Sequence, residues 1–125
     1  LRKFQEERVM NISEKQIYEI FKRMGMSFSF KGYEYLKKAI LMVANDETYL
    51  YAITKRLYPE IAAEFDTTPS RVERAIRHAI VRAFDCADSK TLEDIFGRWD
   101  SRKSQPPNSQ FIGSVVEYIK FNDVL

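Results

Sequence analysis

The 125-residue sequence contains a single cysteine, a single histidine, four glycines and four prolines. Each scarcity excludes something. Cys86 has no second thiol to pair with, so there is no internal disulfide and no sign of an oxidising compartment. Zinc sites need clustered His, Cys or carboxylates, and His78 and Cys86 lie eight residues apart on or near one helix. That separation is a rise of about 12 Å, too far for a thiolate–imidazole pair. No glycine-rich run is present to cradle a phosphate. Glu93 and Asp94 read as early-helix charges that suit the helix dipole, not as an acid–base pair. The chain is not expected to be an enzyme, and no metal or cofactor is expected. No apolar run comes near the ~20 residues that span a bilayer, so no membrane is expected as a partner. No signal peptide is visible, which makes the cytoplasm the expected compartment. The formal net charge is only +2, so attraction to a polyanion has to come from where the charges lie.

What is present suits packed helices. Hydrophobic residues make up 45% of the chain, including nine Phe and seven Tyr, enough for one domain with a modest core. Residues 1–12 open on Leu1 and run through the mixed-charge stretch Arg2–Arg8, which reads as a linker remnant of a longer protein. Residues 13–125 form the expected domain. Ser13 and Gln16 make a capping box and Ile12 and Ile17 a hydrophobic staple. Ile17, Ile20, Phe21 and Met24 give that helix a buried stripe, and Gly25 suits the residue just past its end. A second helix is predicted at roughly 32–45, with Tyr35, Leu36, Ala39, Ile40 and Val43 inward, and a third at 48–57 using Leu50, Ile53 and Leu57. A short helix is expected from about 90 to 96, stopped by Gly97. Asn108 or Ser109 should cap a last one carrying Phe111, Ile112, Val115, Val116 and Ile119. No alternating strand pattern survives, so the fold class is all-α, with six or seven helices.

Residues 58–84 organise the rest. Pro59 can open a helix whose buried side is Ile61, Ala62 and Phe65. Asp66 follows, a residue that tolerates a left-handed backbone. Thr68 then suits an N-cap and Pro69 the first position of a long helix. Ser70-x-x-Glu73 offers a rival capping box, but Pro69 favours Thr68. Val72, Ala75, Ile76, Ala79, Ile80, Ala83 and Phe84 fall on one stripe of that helix. The other side is strongly one-signed, with four Arg against one Glu over residues 69–84. A short helix, a tight turn and a second helix with a basic face make a helix-turn-helix, whose second helix enters a major groove.

Arg71 and Arg74, three apart in the first turns, can both reach a groove floor and hold guanines through O6 and N7. Arg77, His78 and Arg82 lie farther along and suit phosphates, although a lone histidine is also often a core residue. Thr67, Thr68 and Ser70 offer hydroxyls to the same backbone, beside the free N–H groups of the helix start. Glu73 has two readings: a brace for Arg77 or Arg74, or an acceptor for a cytosine N4 proton. The loop Arg98–Lys103 and the helix start near Asn108 could also meet phosphates.

The run Thr67-Thr-Pro-Ser-Arg-Val-Glu-Arg-Ala-Ile-Arg-His-Ala-Ile80 resembles the recognition segment of the response-regulator family that initiates sporulation in bacilli and clostridia. Lys31-Gly-Tyr-x-Tyr-Leu36, Ile53-Thr-Lys55, Leu57-Tyr-Pro59, Ile95-Phe-Gly97 and Pro107-Asn-Ser-x-Phe-Ile112 carry the resemblance outward. Pro69 stands where that family has a small residue, and segments 1–30 and 113–125 match only in helical character. The resemblance implies the C-terminal effector domain of a two-component regulator, a sequence-specific activator and repressor of sporulation genes. It implies base contacts from Arg71, Glu73 and Arg74, and double-stranded promoter DNA as partner. It further implies contact with the RNA polymerase sigma subunit through residues 87–98, and a homodimer on tandem DNA elements paired through the last helix. A phosphorylated receiver domain would lie outside these residues. The alternative class is an all-α interaction module that touches RNA polymerase or another regulator without reading DNA. Tyr49, Tyr51, Phe96 and Trp99 would be its contacts.

Overall fold

A computed structural model describes residues 12–98 and 105–122. The proposed linker at residues 1–12 lies outside them except for Ile12, and most of the Arg98–Lys103 loop is outside as well. Six α-helices account for most of the described residues: α1 (Glu14–Arg23), α2 (Lys31–Asn45), α3 (Tyr58–Glu64), α4 (Pro69–Cys86), α5 (Ser89–Phe96) and α6 (Asn108–Asn122). Among the described residues there is no strand. The all-α expectation holds.

Local chemistry sets the ends of α1. The Ser13 hydroxyl accepts from the Gln16 amide at 3.2 Å, and the Gln16 side-chain oxygen accepts from the Ser13 amide at 2.9 Å. Ile12 and Ile17 are both buried beside this reciprocal cap. At the other end Gly25 takes φ 73°, a conformation that suits a residue without Cβ. Its N–H reaches Lys22 O at 3.0 Å and that of Met26 reaches Phe21 O at 2.9 Å, the paired bonds of a Schellman turn.

The helix α2 crosses α4 and packs against α6. Leu36, Ala39, Ile40 and Val43 are fully buried, whereas Tyr35 is half-buried at the edge. At the crossing, a Cβ on Gly32 would fall 2.2 Å from the Ala75 carbonyl oxygen and 3.0 Å from Ala79 Cβ. Only a glycine lets the two backbones come so close.

Residues 48–57 are not the single α-helix that Leu50, Ile53 and Leu57 suggest. A 3₁₀ turn (Glu47–Tyr51) and a π turn (Ile53–Leu57) meet at Ala52, whose φ and ψ are −143° and 45°. Asp46 starts the first turn by accepting from the Thr48 amide at 3.0 Å. Tyr49 then lies under the Arg56 guanidinium, 4.2 Å from it, and donates to Glu60 at 2.5 Å. The π turn inserts an extra residue, with both Arg56 and Leu57 bonding back to Ala52 O at 2.8 and 3.1 Å. That rephases the side chains. Leu57 goes fully into the core while Leu50 and Ile53 stay half-buried.

In α3, Pro59 lies in the first turn, and Tyr58, Ile61 and Ala62 are buried. Phe65, expected inside, is instead the exposed C-cap, its ring meeting Tyr35 edge-on at 5.2 Å. The chain turns away there too early for Phe65 to reach the core. Asp66 supplies the left-handed residue at φ 54°, and the Thr67 N–H closes on Ala62 O at 2.9 Å. Thr68 caps α4 by accepting from the Arg71 amide at 3.3 Å, with Pro69 in the first turn. Val72, Ile76, Ala79, Ile80 and Ala83 are buried, and Ala75 and Phe84 are half-buried.

The helix α4 runs on to Cys86, and Asp88 restarts the chain by capping the Thr91 amide at 2.8 Å. That amide and the Thr91 hydroxyl hold the Asp88 carboxyl below its ordinary range. Asp88 therefore does the dipole work that sequence assigned to Glu93 and Asp94, which sit past the first turn of α5. Asp94 instead pairs with Arg23 at 3.1 Å. In α6, Phe111, Ile112, Val115, Val116 and Ile119 are buried as expected. Asn108 is no cap: its side-chain amide donates to Tyr58 Oη at 2.9 Å and to the Glu73 carbonyl at 3.3 Å. Phe84, Phe96 and Phe111 close this side as an aromatic cluster, with Phe96 5.2 Å from Phe84 and 5.3 Å from Phe111.

Two substitutions test the packing around α4. Gly32→Ala forces the Ala75 carbonyl away and should destabilise the fold by at least about 1–3 kcal/mol, read as a lower urea midpoint at unchanged slope. Ala62, only 2% exposed, sits where α3 faces α4. Ala62→Leu should cost a similar ~1–3 kcal/mol by overpacking and weaken the DNA binding expected from the sequence, although Ala62 is not among the expected DNA contacts. A wild-type midpoint in either variant would contradict this packing.

Candidate nucleic-acid interface

The exposed side of α4 is built by its own periodicity. Burying Val72, Ile76, Ala79, Ile80 and Ala83 turns Arg71, Arg74, His78 and Arg82 outward on one stripe, all four exposed. Exposure excludes the core-histidine reading of His78. Arg71, Arg74 and Arg82 make no ion pair among the described residues, whereas Arg56 pairs with Asp46 and Glu60, and Lys38 with Glu64. Unpaired guanidiniums at the start of a helix are open to a ligand's oxygen and nitrogen acceptors.

Glu73 is half-buried, and its carboxylate takes the Arg77 guanidinium in an (i, i+4) ion pair. The brace between these two is formed in the free domain, and Glu73 makes no such pair with Arg74. Arg77 is otherwise exposed. Thr68 and Ser70 are exposed and Thr67 is half-buried at the turn. The Thr68 oxygen already caps the Arg71 amide, so its proton is what remains to offer. Four of the nine site residues expected from sequence therefore share one stripe, and the other five border it at the turn or on the Glu73–Arg77 flank.

Two grooves flank α4. One, of ≈ 480 Å³, runs between α4 and the start of α2, past Phe30, Lys31 and Gly32. There the Arg82 guanidinium lies 4.9 Å over the Phe30 ring. The other, wider groove lies between the π turn, the Glu73–Arg77 flank and the start of α6, and includes Tyr51, Lys55 and Asn108. Sequence reasoning missed Lys31 and Gly32 as parts of the site's surroundings, whereas the helix start near Asn108, expected as a possible phosphate contact, does border the second groove. Of the interaction-module aromatics, Tyr51 is 90% exposed, Tyr49 and Phe96 are packed, and Trp99 lies outside the described residues.

Among the described residues no group of three His, Cys, Asp or Glu side chains could hold a metal ion, and no helix is long and apolar enough to cross a membrane. Compared with known families, residues 17–119 match the family described as Sporulation initiation factor Spo0A C terminal. The match takes in residues 17–30 and 113–119, where sequence alone had pointed to helical character and nothing more. With most of its length inside that match and its one-signed helix face exposed, the chain belongs to the Spo0A C-terminal family and is a DNA-binding effector domain that regulates sporulation transcription, not an enzyme.

Proposed function

We propose that the chain reads promoter DNA by laying the first turns of α4 in a major groove, where Arg71 and Arg74 take guanines and Glu73 takes the N4 proton of a cytosine. The observation that carries this reading is the pair of exposed arginines at the capped start of α4, free of any carboxylate partner among the described residues. Thr67, Thr68, Ser70, Arg77, His78 and Arg82 border them and supply the phosphate contacts. The Glu73–Arg77 ion pair does not stand in the way. A surface (i, i+4) pair, here with the Arg77 side chain 46% and the Glu73 side chain 33% exposed, contributes only about 0.3–0.5 kcal/mol, less than the roughly 1.5–3 kcal/mol of a hydrogen bond to a charged group. On DNA, Arg77 can leave for a phosphate and free Glu73 for a base.

Two partners beyond DNA belong to the same proposal. The outer face of α5 exposes Lys90 and Glu93 within the 87–98 region and is the surface offered to the RNA polymerase sigma subunit. The last turn of α6 carries Phe121, 80% exposed, which suits pairing of two domains on tandem DNA elements. Residues 13–125 act as one effector unit of a longer two-component regulator.

Arg74→Ala should weaken binding to the preferred duplex by about 1–3 kcal/mol and relax the choice at one G·C pair. Arg77→Ala should weaken preferred and scrambled duplexes alike and flatten the salt slope by about one unit. Both read out in fluorescence titrations, and loss of non-specific affinity alone in both variants would overturn this orientation of α4. Glu73→Gln should lower affinity modestly while erasing discrimination at one base pair. Combined with Arg77→Ala it should be additive within about 0.5 kcal/mol. Strong coupling without a change in base preference would make Glu73 a brace only.

A further inference from the structure

The groove beside the start of α2 brings to the basic face of α4 one further cation, Lys31, which has no contact assigned so far. Its walls carry Lys31, Arg71, Arg74, His78 and Arg82, and no Asp or Glu lines it. A pocket of ≈ 480 Å³ with five basic side chains and no acid is unusual in a chain of net charge +2. Lys31 stands apart from its neighbours on the same helix. Lys37 is held by Glu14 and Glu34, and Lys38 by Glu64, whereas Lys31 is exposed and makes no ion pair among the described residues. Phe30, the N-cap of α2, makes no side-chain cap bond, so the first-turn amides beside Lys31 lack a side-chain acceptor from their cap. The Phe30 ring instead supports Arg82 from below at 4.9 Å.

Around the axis of α4, Ala75 and Ala79 mark the flank toward this groove, and Glu73 and Arg77 mark the other. A recognition helix in a major groove has one sugar–phosphate strand on each side. Arg77 serves one strand. We propose that the acid-free groove seats a phosphate of the other strand, with Lys31 as its principal cation and Arg82, steadied on Phe30, beside it. This rests on the reading of α4 as the helix that enters the groove, and extends the footprint to a helix outside the helix-turn-helix. Such a contact positions the domain and adds no base preference of its own.

The test uses the whole 125-residue chain and the duplex it selects from a randomised pool. Lys31→Gln should weaken the selected and a scrambled duplex by the same factor and reduce the salt slope by about one unit, with base preference intact. Lys31→Arg should restore the slope. Duplexes carrying one neutral methylphosphonate at successive positions should reveal a position on the strand opposite the Arg77 contact where wild type loses affinity and Lys31→Gln loses none further. A wild-type slope for Lys31→Gln, or no phosphate position that distinguishes the two proteins, overturns the proposal. Arg74→Ala, run alongside, separates the two failures. If it relaxes base choice while Lys31→Gln is silent, only the Lys31 contact is wrong. If it leaves base choice intact, the placement of α4 itself is wrong.

Discussion

The close crossing of α2 and α4 is the constraint on which the rest depends. With a methyl on Gly32 only 2.2 Å from the Ala75 carbonyl, the two backbones could not meet as they do. Because they do meet, the apolar stripe of α4 is packed into the core against both α2 and α3. Three turns fix the directions of the chain: the Schellman turn at Gly25, the left-handed Asp66, and the Thr68 cap. A tightly packed interior does not deform gradually. The outward direction of Arg71 and Arg74 is therefore a consequence of packing on the opposite side of the helix.

Charge is sorted in the same way. Away from α4, many of the cations are neutralised locally, as in Arg23 with Asp94, Lys38 with Glu64, and Arg56 among Asp46, Glu60 and the Tyr49 ring. These exposed pairs contribute little stability individually. On α4, by contrast, Arg71, Arg74 and Arg82 stay unpaired among the described residues and concentrate positive charge on one face. A chain close to neutral can attract a polyanion when its charge is segregated, and the segregation also orients the encounter.

Much of this was legible in the sequence because the controlling signals are local. Ser13 with Gln16, Thr68 with Pro69, and Asp66 each act within a few residues, and the 3.6-residue period of α4 gives its buried and exposed faces directly. The errors came where tertiary contacts override the period. Leu50, Ile53 and Leu57 have helical spacing, yet the contacts of Tyr49 and Arg56 accompany an inserted π turn that the spacing cannot reveal. Phe65 is apolar and in phase but falls at the turn, where Tyr35 meets it at the surface. Asn108 has the residue type of a cap, yet its amide is drawn to Tyr58 and to Glu73, 35 residues away in sequence. Gly32 and Lys31 were visible only as residues of a resembled motif. Their physical role depends on which helix they cross, which no single segment encodes.

The proposed role of the exposed face of α4 is to read base sequence as well as phosphate. A titration of the unmodified chain against its selected duplex and a scrambled duplex of equal length, at two salt concentrations, tests it most directly. Phosphate contacts fall away with salt for both duplexes, whereas base contacts do not. Binding to both should weaken as salt rises while the selected duplex keeps a preference of at least about 10³ at the higher salt, the low end for specific recognition. Equal binding to both duplexes, weak and insensitive to salt, would contradict it.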